Sequence, residues 1–147
     1  MGEALDADAV GAIEKGIVGA PFGSLIGLEC VSVEEDHVQL RLPFRAEVTT
    51  VGEMVHGGAI ASAVDVAATA AAWASPKASF KARGSTVGFS LNFLAPGLGS
   101  DLLADARVIQ RGRSLCVVEV AVSDADGSPL ARALVTYRLS LPTEAPA

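Results

Sequence analysis

Val55-His56-Gly57-Gly58-Ala59-Ile60-Ala61-Ser62-Ala63-Val64-Asp65-Val66-Ala67-Ala68-Thr69-Ala70-Ala71-Ala72-Trp73 is the stretch whose reading decides how this chain folds. Residues 57–75 are small and apolar almost without interruption, and nine of them are alanine, the strongest helix former. A Gly-Gly pair opens the run and Ser75-Pro76 closes it, so the pattern predicts one long helix. A helix that is apolar nearly all round has to be covered on most sides. Its single charge is Asp65. An ionised carboxylate among Ala, Ile and Val is costly unless it is paired or put to work. It therefore marks either a reactive site or a carboxylate bonded to backbone amides. The run approaches membrane-spanning length, but Asp65 near its centre would cost ~3 kcal/mol on insertion. It reads as a core helix, and no membrane partner is expected.

The rest of the composition fits one domain with a proper core, since half of the 147 residues are hydrophobic. A formal charge of -6 argues against nucleic acid as a partner. That charge is uneven. Residues 1–53 hold ten acidic and three basic side chains, whereas residues 75–113 hold Lys77, Lys81, Arg83, Arg107, Arg111 and Arg113 against Asp101 and Asp105. The second stretch could offer a local basic face to an anionic small molecule, or it could be a solvated strand surface. Cys30 and Cys116 lie in apolar runs without CxxC spacing, as reduced core residues of a cytoplasmic protein would. The acidic start MGEALDADAV has no secretory h-region. Two separated histidines and no thiol cluster offer no metal site, Gly97-Leu98-Gly99 reads as a turn, and no cofactor is expected. Ser62 and Ser114 sit in no G-x-S-x-G elbow, so a serine triad is unsupported.

Outward from the helix, residues 1–20 space Leu5, Val10, Ile13 and Ile17 as a short amphipathic helix that ends at Gly19-Ala20-Pro21. Residues 24–32 form a strand candidate, Glu34-Glu35-Asp36 an acidic turn, and Val38, Leu40 and Leu42 alternate with Gln39 and Arg41, which together signal a hairpin. His37, beside the acidic turn, is expected in solvent. Residues 43–55 form a loop into the helix. Strands are expected over 85–94, 102–110, 114–123 and 130–141, punctuated by Pro96-Gly97, Arg111-Gly112-Arg113 and Asp126-Gly127-Ser128-Pro129, and residues 142–147 form a tail. The expected architecture is α+β: two strands, one long central helix, then a four-stranded meander, in a single curved antiparallel sheet wrapped around the helix. The units are 1–20, 21–141 and 142–147.

His56-Gly57-Gly58 followed by Asp65 resembles the hotdog-fold thioesterases, specifically the PaaI-like acyl-CoA thioesterases. The resemblance runs over residues 21–141. It takes in Pro21-Phe22-Gly23 through Leu25-Ile26-Gly27, the loop 52–58, the strand from Thr86 closed by Ala95-Pro96-Gly97, and Arg111-Gly112-Arg113-Ser114. It implies hydrolysis of a coenzyme A thioester, with the oxyanion-stabilising amide on Gly57 and the catalytic carboxylate on Asp65. Thr86 matches a Ser or Thr that positions water in some relatives, and Gly88 stands where some carry Asp. Many members have Asn six residues before the His, where this chain has Thr50.

Physical reasoning on the residues agrees. Gly57 and Gly58 let a carbonyl oxygen approach their N–H groups at the positive end of the helix dipole. Gly58 and Asp65 share a face but lie ~10 Å apart along the helix at 1.5 Å per residue. Two antiparallel helices in a twofold dimer could unite an amide and a carboxylate. The family uses that arrangement, so a homo-oligomer with sites at the dimer interface is expected, either a dimer or a tetramer that contains the same site-forming pair. His56 is either a direct participant or a ring that bonds backbone and shapes the loop. Arg111 and Arg113 are candidates for the coenzyme A phosphates, with Ser114 beside them, and Phe89 together with Ile60 and Val64 for the acyl pocket. The alternatives are a hotdog protein that binds thioesters without turnover, which Thr50 favours, and a hydratase, which lacks its Asp-x-x-x-x-His spacing here.

Overall fold

The computed structural model describes residues 5–78 and 81–140; the expected tail 142–147 lies outside them. The long apolar run forms α3 (Gly57–Trp73), ~26 Å of helix at 1.5 Å per residue. Its Ala63, Val64, Ala67, Ala68, Ala70, Ala71 and Ala72 are buried. Six antiparallel strands curve around it as one sheet: β1 (Glu29–Glu34), β2 (His37–Leu42), β3 (Arg83–Phe93), β4 (Leu102–Arg111), β5 (Leu115–Ser123) and β6 (Pro129–Ser140). Every second residue faces the helix, as the two-residue period of a strand requires. That inner face is made of Val38 and Leu40 on β2, Ala104 and Ala106 on β4, Val118 and Val120 on β5, and Ala133 and Val135 on β6, all buried. Alanines on both layers let helix and sheet approach closely. This is the hotdog α+β architecture.

Three local expectations are corrected. The strand order is β1-β2-β4-β5-β6-β3, so only β4, β5 and β6 form a meander and β3 crosses to the far edge. The long helix intervenes between β2 and β3, and β3 finds its partner in β6, from Arg83 opposite Ser140 to Phe93 opposite Ala131. Residues 24–26 are helical. Pro21 starts the short helix α2 (Pro21–Ile26) at a position that needs no N–H, Gly27 ends it with φ 80, and the first strand begins only at Glu29. His37 is not solvated. Its Nε2 lies 2.6 Å from Asp105 Oδ1 on the outer face of the sheet, where Gln39 donates to the same oxygen at 2.8 Å. Burial opposes the Asp105 charge, but the His37 and Gln39 hydrogen bonds and the His37 and Arg107 charges outweigh it and hold the carboxyl below the usual range.

The N-terminal segment forms α1 (Ala7–Ile13), capped by Asp6, whose carboxylate accepts from Ala9 N–H at 2.8 Å, and continues as a π-helical turn, Glu14–Val18. Ile13 and Val18 join the same core as α3. Cys30 and Cys116 are both free thiols, as expected. No described helix is long and apolar enough to cross a membrane.

The two-residue turn of the first hairpin fixes the far end of α3. Asp36, at φ 60, donates its N–H to Ala74 O at 2.8 Å and accepts from Val108 N–H at 2.8 Å. Its carboxylate accepts from Arg111 Nη2 at 2.7 Å and Nε at 3.0 Å.

Candidate active site

The start of α3 has one unused donor. His56 is the N-cap, and its Nδ1 accepts from Gly58 N–H at 2.7 Å, which requires that nitrogen to be unprotonated. The His56 carbonyl accepts from Ala59 N–H at 2.9 Å and Ile60 N–H at 3.2 Å. Of the four N–H groups that open this helix, only that of Gly57 lacks an acceptor among the described residues. The structure thus separates the two glycines. Gly57 offers an open N–H at the positive end of the helix, and Gly58 has its N–H engaged by His56. The exposed His56 ring shapes the helix start, one of the two roles open to it from sequence.

Asp65 lies on the one incompletely covered stripe of α3, together with Ser62, Thr69 and Trp73. Thr86 on β3 donates its hydroxyl to Asp65 Oδ1 at 2.6 Å. The bond restrains the carboxylate and leaves Oδ2 without a partner among the described residues. Deeper along the stripe, Trp73 Nε1–H donates to the Tyr137 hydroxyl at 2.8 Å. Burial pushes the Tyr137 hydroxyl up, opposed by the Trp73 bond and helped by the Asp65 charge. No group of His, Cys, Asp and Glu among the described residues could hold a metal ion.

The remaining sequence candidates scatter. Thr50 is exposed in the loop that folds back on itself before His56, with its N–H donated to Met54 O at 2.8 Å and its hydroxyl unpaired among the described residues. Phe89 faces the helix side of β3 opposite Val135 and is 42% exposed, but Val64 is fully buried and lines no open space. Arg111 is committed. Besides Asp36, its Nη2 donates to Ala72 O at 3.0 Å and Ala71 O at 3.4 Å, so it caps the negative end of α3. Arg111 still lines, with Ser75, Lys77, Gly112 and the exposed Arg113, a hollow of about 340 Å³. The Ser114 carbonyl accepts from Leu139 N–H at 2.8 Å, which pins this turn to β6.

Lys77, part of the basic stretch noted in the sequence, joins Arg113 at this hollow although it follows the helix by four residues and Arg113 arrives from the β4–β5 turn. Sequence reasoning missed one feature. An apolar groove of about 380 Å³ beside Gly57 is lined by Ile60, Met54, Phe93, Leu94 and Pro96, of which only Ile60 had been singled out. The Phe93-Leu94-Ala95-Pro96 run was a visible apolar signal, but nothing local places it against the helix start.

The model of the Thioesterase superfamily matches residues 52–131, more than half of the chain. The chain belongs to the thioesterase superfamily. Among curated relatives of this thioesterase-superfamily chain, a Saccharolobus solfataricus protein bearing an esterase name is 32% identical over 114 residues, covering 78% of this chain and 74% of the relative. A Salmonella typhimurium protein named medium/long-chain acyl-CoA thioesterase YigI is 29% identical over 132 residues, covering 80% of this chain and 84% of the relative. Among solved structures, a Silicibacter pomeroyi thioesterase family protein superposes with TM-score 0.82 at 23% identity, covering 91% of this chain and 99% of that one. The PaaI protein of Escherichia coli gives TM-score 0.72 at 20% identity, covering 90% and 93%. A Streptococcus pneumoniae thioesterase protein solved with coenzyme A gives 0.70 at 20%, covering 80% and 89%. The span matched to the superfamily contains Gly57, Asp65, Thr86 and Arg113 and stops two residues short of Thr50.

Proposed function

We propose that this chain hydrolyses acyl-coenzyme A thioesters to the free acid and coenzyme A, at sites that two copies of the chain build between them. The observation that carries the reading is the Asp65 carboxylate, oriented by Thr86 on the uncovered stripe of α3, in a chain whose Gly57 N–H stands open at the start of the same helix. Gly57 and Asp65 are eight residues apart, ~12 Å along the axis, so one helix cannot bring both to one carbonyl. A second, antiparallel copy can.

The Gly57 N–H of one copy donates to the thioester oxygen as negative charge gathers there. The Asp65 of the other copy either attacks the carbonyl carbon, expelling coenzyme A thiolate and leaving an anhydride that water opens, or takes a proton from water as that water attacks. Both routes end in acid and thiol. Arg113 and Lys77 suit the nucleotide phosphates, in a hollow just past the end of α3, whose last residue Trp73 lies eight residues, ~12 Å, along the helix from Asp65. The YigI name and the coenzyme A in a structural neighbour support this substrate class. The two free thiols suit the cytoplasm.

Thiol release from a panel of acyl-CoA esters tests the proposal. Asp65→Asn should retain its circular dichroism and lose at least ~100-fold in rate. Undiminished release would overturn the role of Asp65. Should no ester release thiol while calorimetry detects binding, the chain is a thioester-binding protein, the reading that the unpaired Thr50 hydroxyl favours.

A further inference from the structure

The groove beside Gly57 is apolar for a structural reason. Its walls satisfy their own backbone: Val55 N–H donates to Gly97 O at 2.9 Å, and Leu94 N–H to Leu130 O at 2.7 Å. What remains facing the open space is Met54, Ile60, Phe93, Leu94 and Pro96, without a charged side chain. Phe93 and Leu94 are 55% and 56% exposed, so the groove presents apolar surface that this chain does not cover. The Phe93 ring lies over the helix start, and a Cβ on Gly57 would sit 3.3 Å from the ring edge. Gly57, whose N–H is open, is itself part of the groove lining, and the other lining side chains offer only dispersion and desolvation.

From this the geometry points to the groove as the seat of the acyl tail, with Phe93 as the residue that sets how long a tail fits. The inference rests on the hydrolase reading and deepens it. A thioester whose oxygen accepts the Gly57 N–H has its tail at the mouth of this space. A cavity of ~150 Å³ holds a benzene molecule, so about 380 Å³, open on one side, suits an uncharged medium-length chain or an aryl group on a short linker. Short acyl groups leave it unfilled, and acyl groups with a terminal carboxylate would strand a charge against Ile60 and Phe93.

Two series of probes test this. In thiol release from straight-chain acyl-CoA esters, kcat/KM should climb about fourfold per methylene from acetyl upward, at ~0.8 kcal/mol per buried methylene, and level off once the groove is full. Phe93→Ala should move the plateau to longer chains, and Ala95→Leu, which adds bulk to the lining two residues further along, should move it to shorter ones. Calorimetry with 2-oxoalkyl-CoA thioethers, which cannot be hydrolysed, should show the same per-methylene steps and the same opposite displacements. If turnover is absent but the thioether series shows them, the hydrolase reading fails and the groove assignment stands. If both variants keep the wild-type profile in the thioether series, the groove does not hold the tail and the inference is overturned.

Discussion

Thr86 and Asp65 show what a short hydroxyl can do for a carboxylate. At 2.6 Å, the Thr86 hydroxyl holds Oδ1, so only Oδ2 is free for chemistry and its direction is set. Misplacement of a reacting group by ~1 Å can cost ~100-fold in rate. Thr86→Val keeps the shape and removes the donor, and is expected to lower kcat by ~10- to 100-fold while KM changes little. Thr86→Ser should restore most of the rate. Steady-state thiol release on both variants checks this, and a fall confined to KM would place Thr86 in substrate binding instead.

At the scale of elements, the C-terminal end of α3 is held by groups from two distant turns. Arg111 brings its guanidinium to the last carbonyls of the helix and to Asp36, and its side chain is only 25% exposed. A cation at the negative end of a helix and charge-assisted hydrogen bonds each stabilise by ~1 kcal/mol or more. Arg111→Gln is expected to cost ~2 kcal/mol and to lower Tm by roughly 5 °C. Arg113→Gln, on an exposed position, should leave Tm within about 2 °C yet raise KM for acyl-CoA and weaken its salt dependence. Thermal melts beside initial rates separate the two arginines. An unchanged Tm with a raised KM for Arg111→Gln would return that residue to the phosphate role.

The whole molecule leaves one long flank open. β3 pairs with β6 on one side only, and along it Val87 and Phe89 are 58% and 42% exposed, beside the uncovered stripe of α3. An edge strand of this length and apolarity invites pairing with another strand, and a second copy related by a twofold axis would cover it and complete the half-sites. Mixing checks this. An Asp65→Asn protein and one with Gly57 replaced by a bulky residue are each expected to be inactive. After dissociation and joint reassembly, heterodimers should recover one intact site of two. Verified subunit exchange without recovery would mean that each chain builds its site alone.

Most of the fold was legible because its signals are local. Alanine content, the Gly-Gly entry and the Ser75-Pro76 exit set α3, and alternation with turn residues set β2, β4, β5 and β6. Two glycines and one acid on the same helix, Gly58 and Asp65 seven residues apart, could also be read from sequence, but which glycine N–H stays open could not. Leu25-Ile26 failed because a short apolar run fits strand and helix equally, and the helix won through Pro21 and Gly27. Tertiary structure alone decided the rest. Arg111 meets Asp36 across 75 residues, His37 meets Asp105 across 68, and Thr86 meets Asp65 across 21. Each of these partners is chosen by strand order and register, and no periodicity within a segment encodes which distant segment will lie beside it.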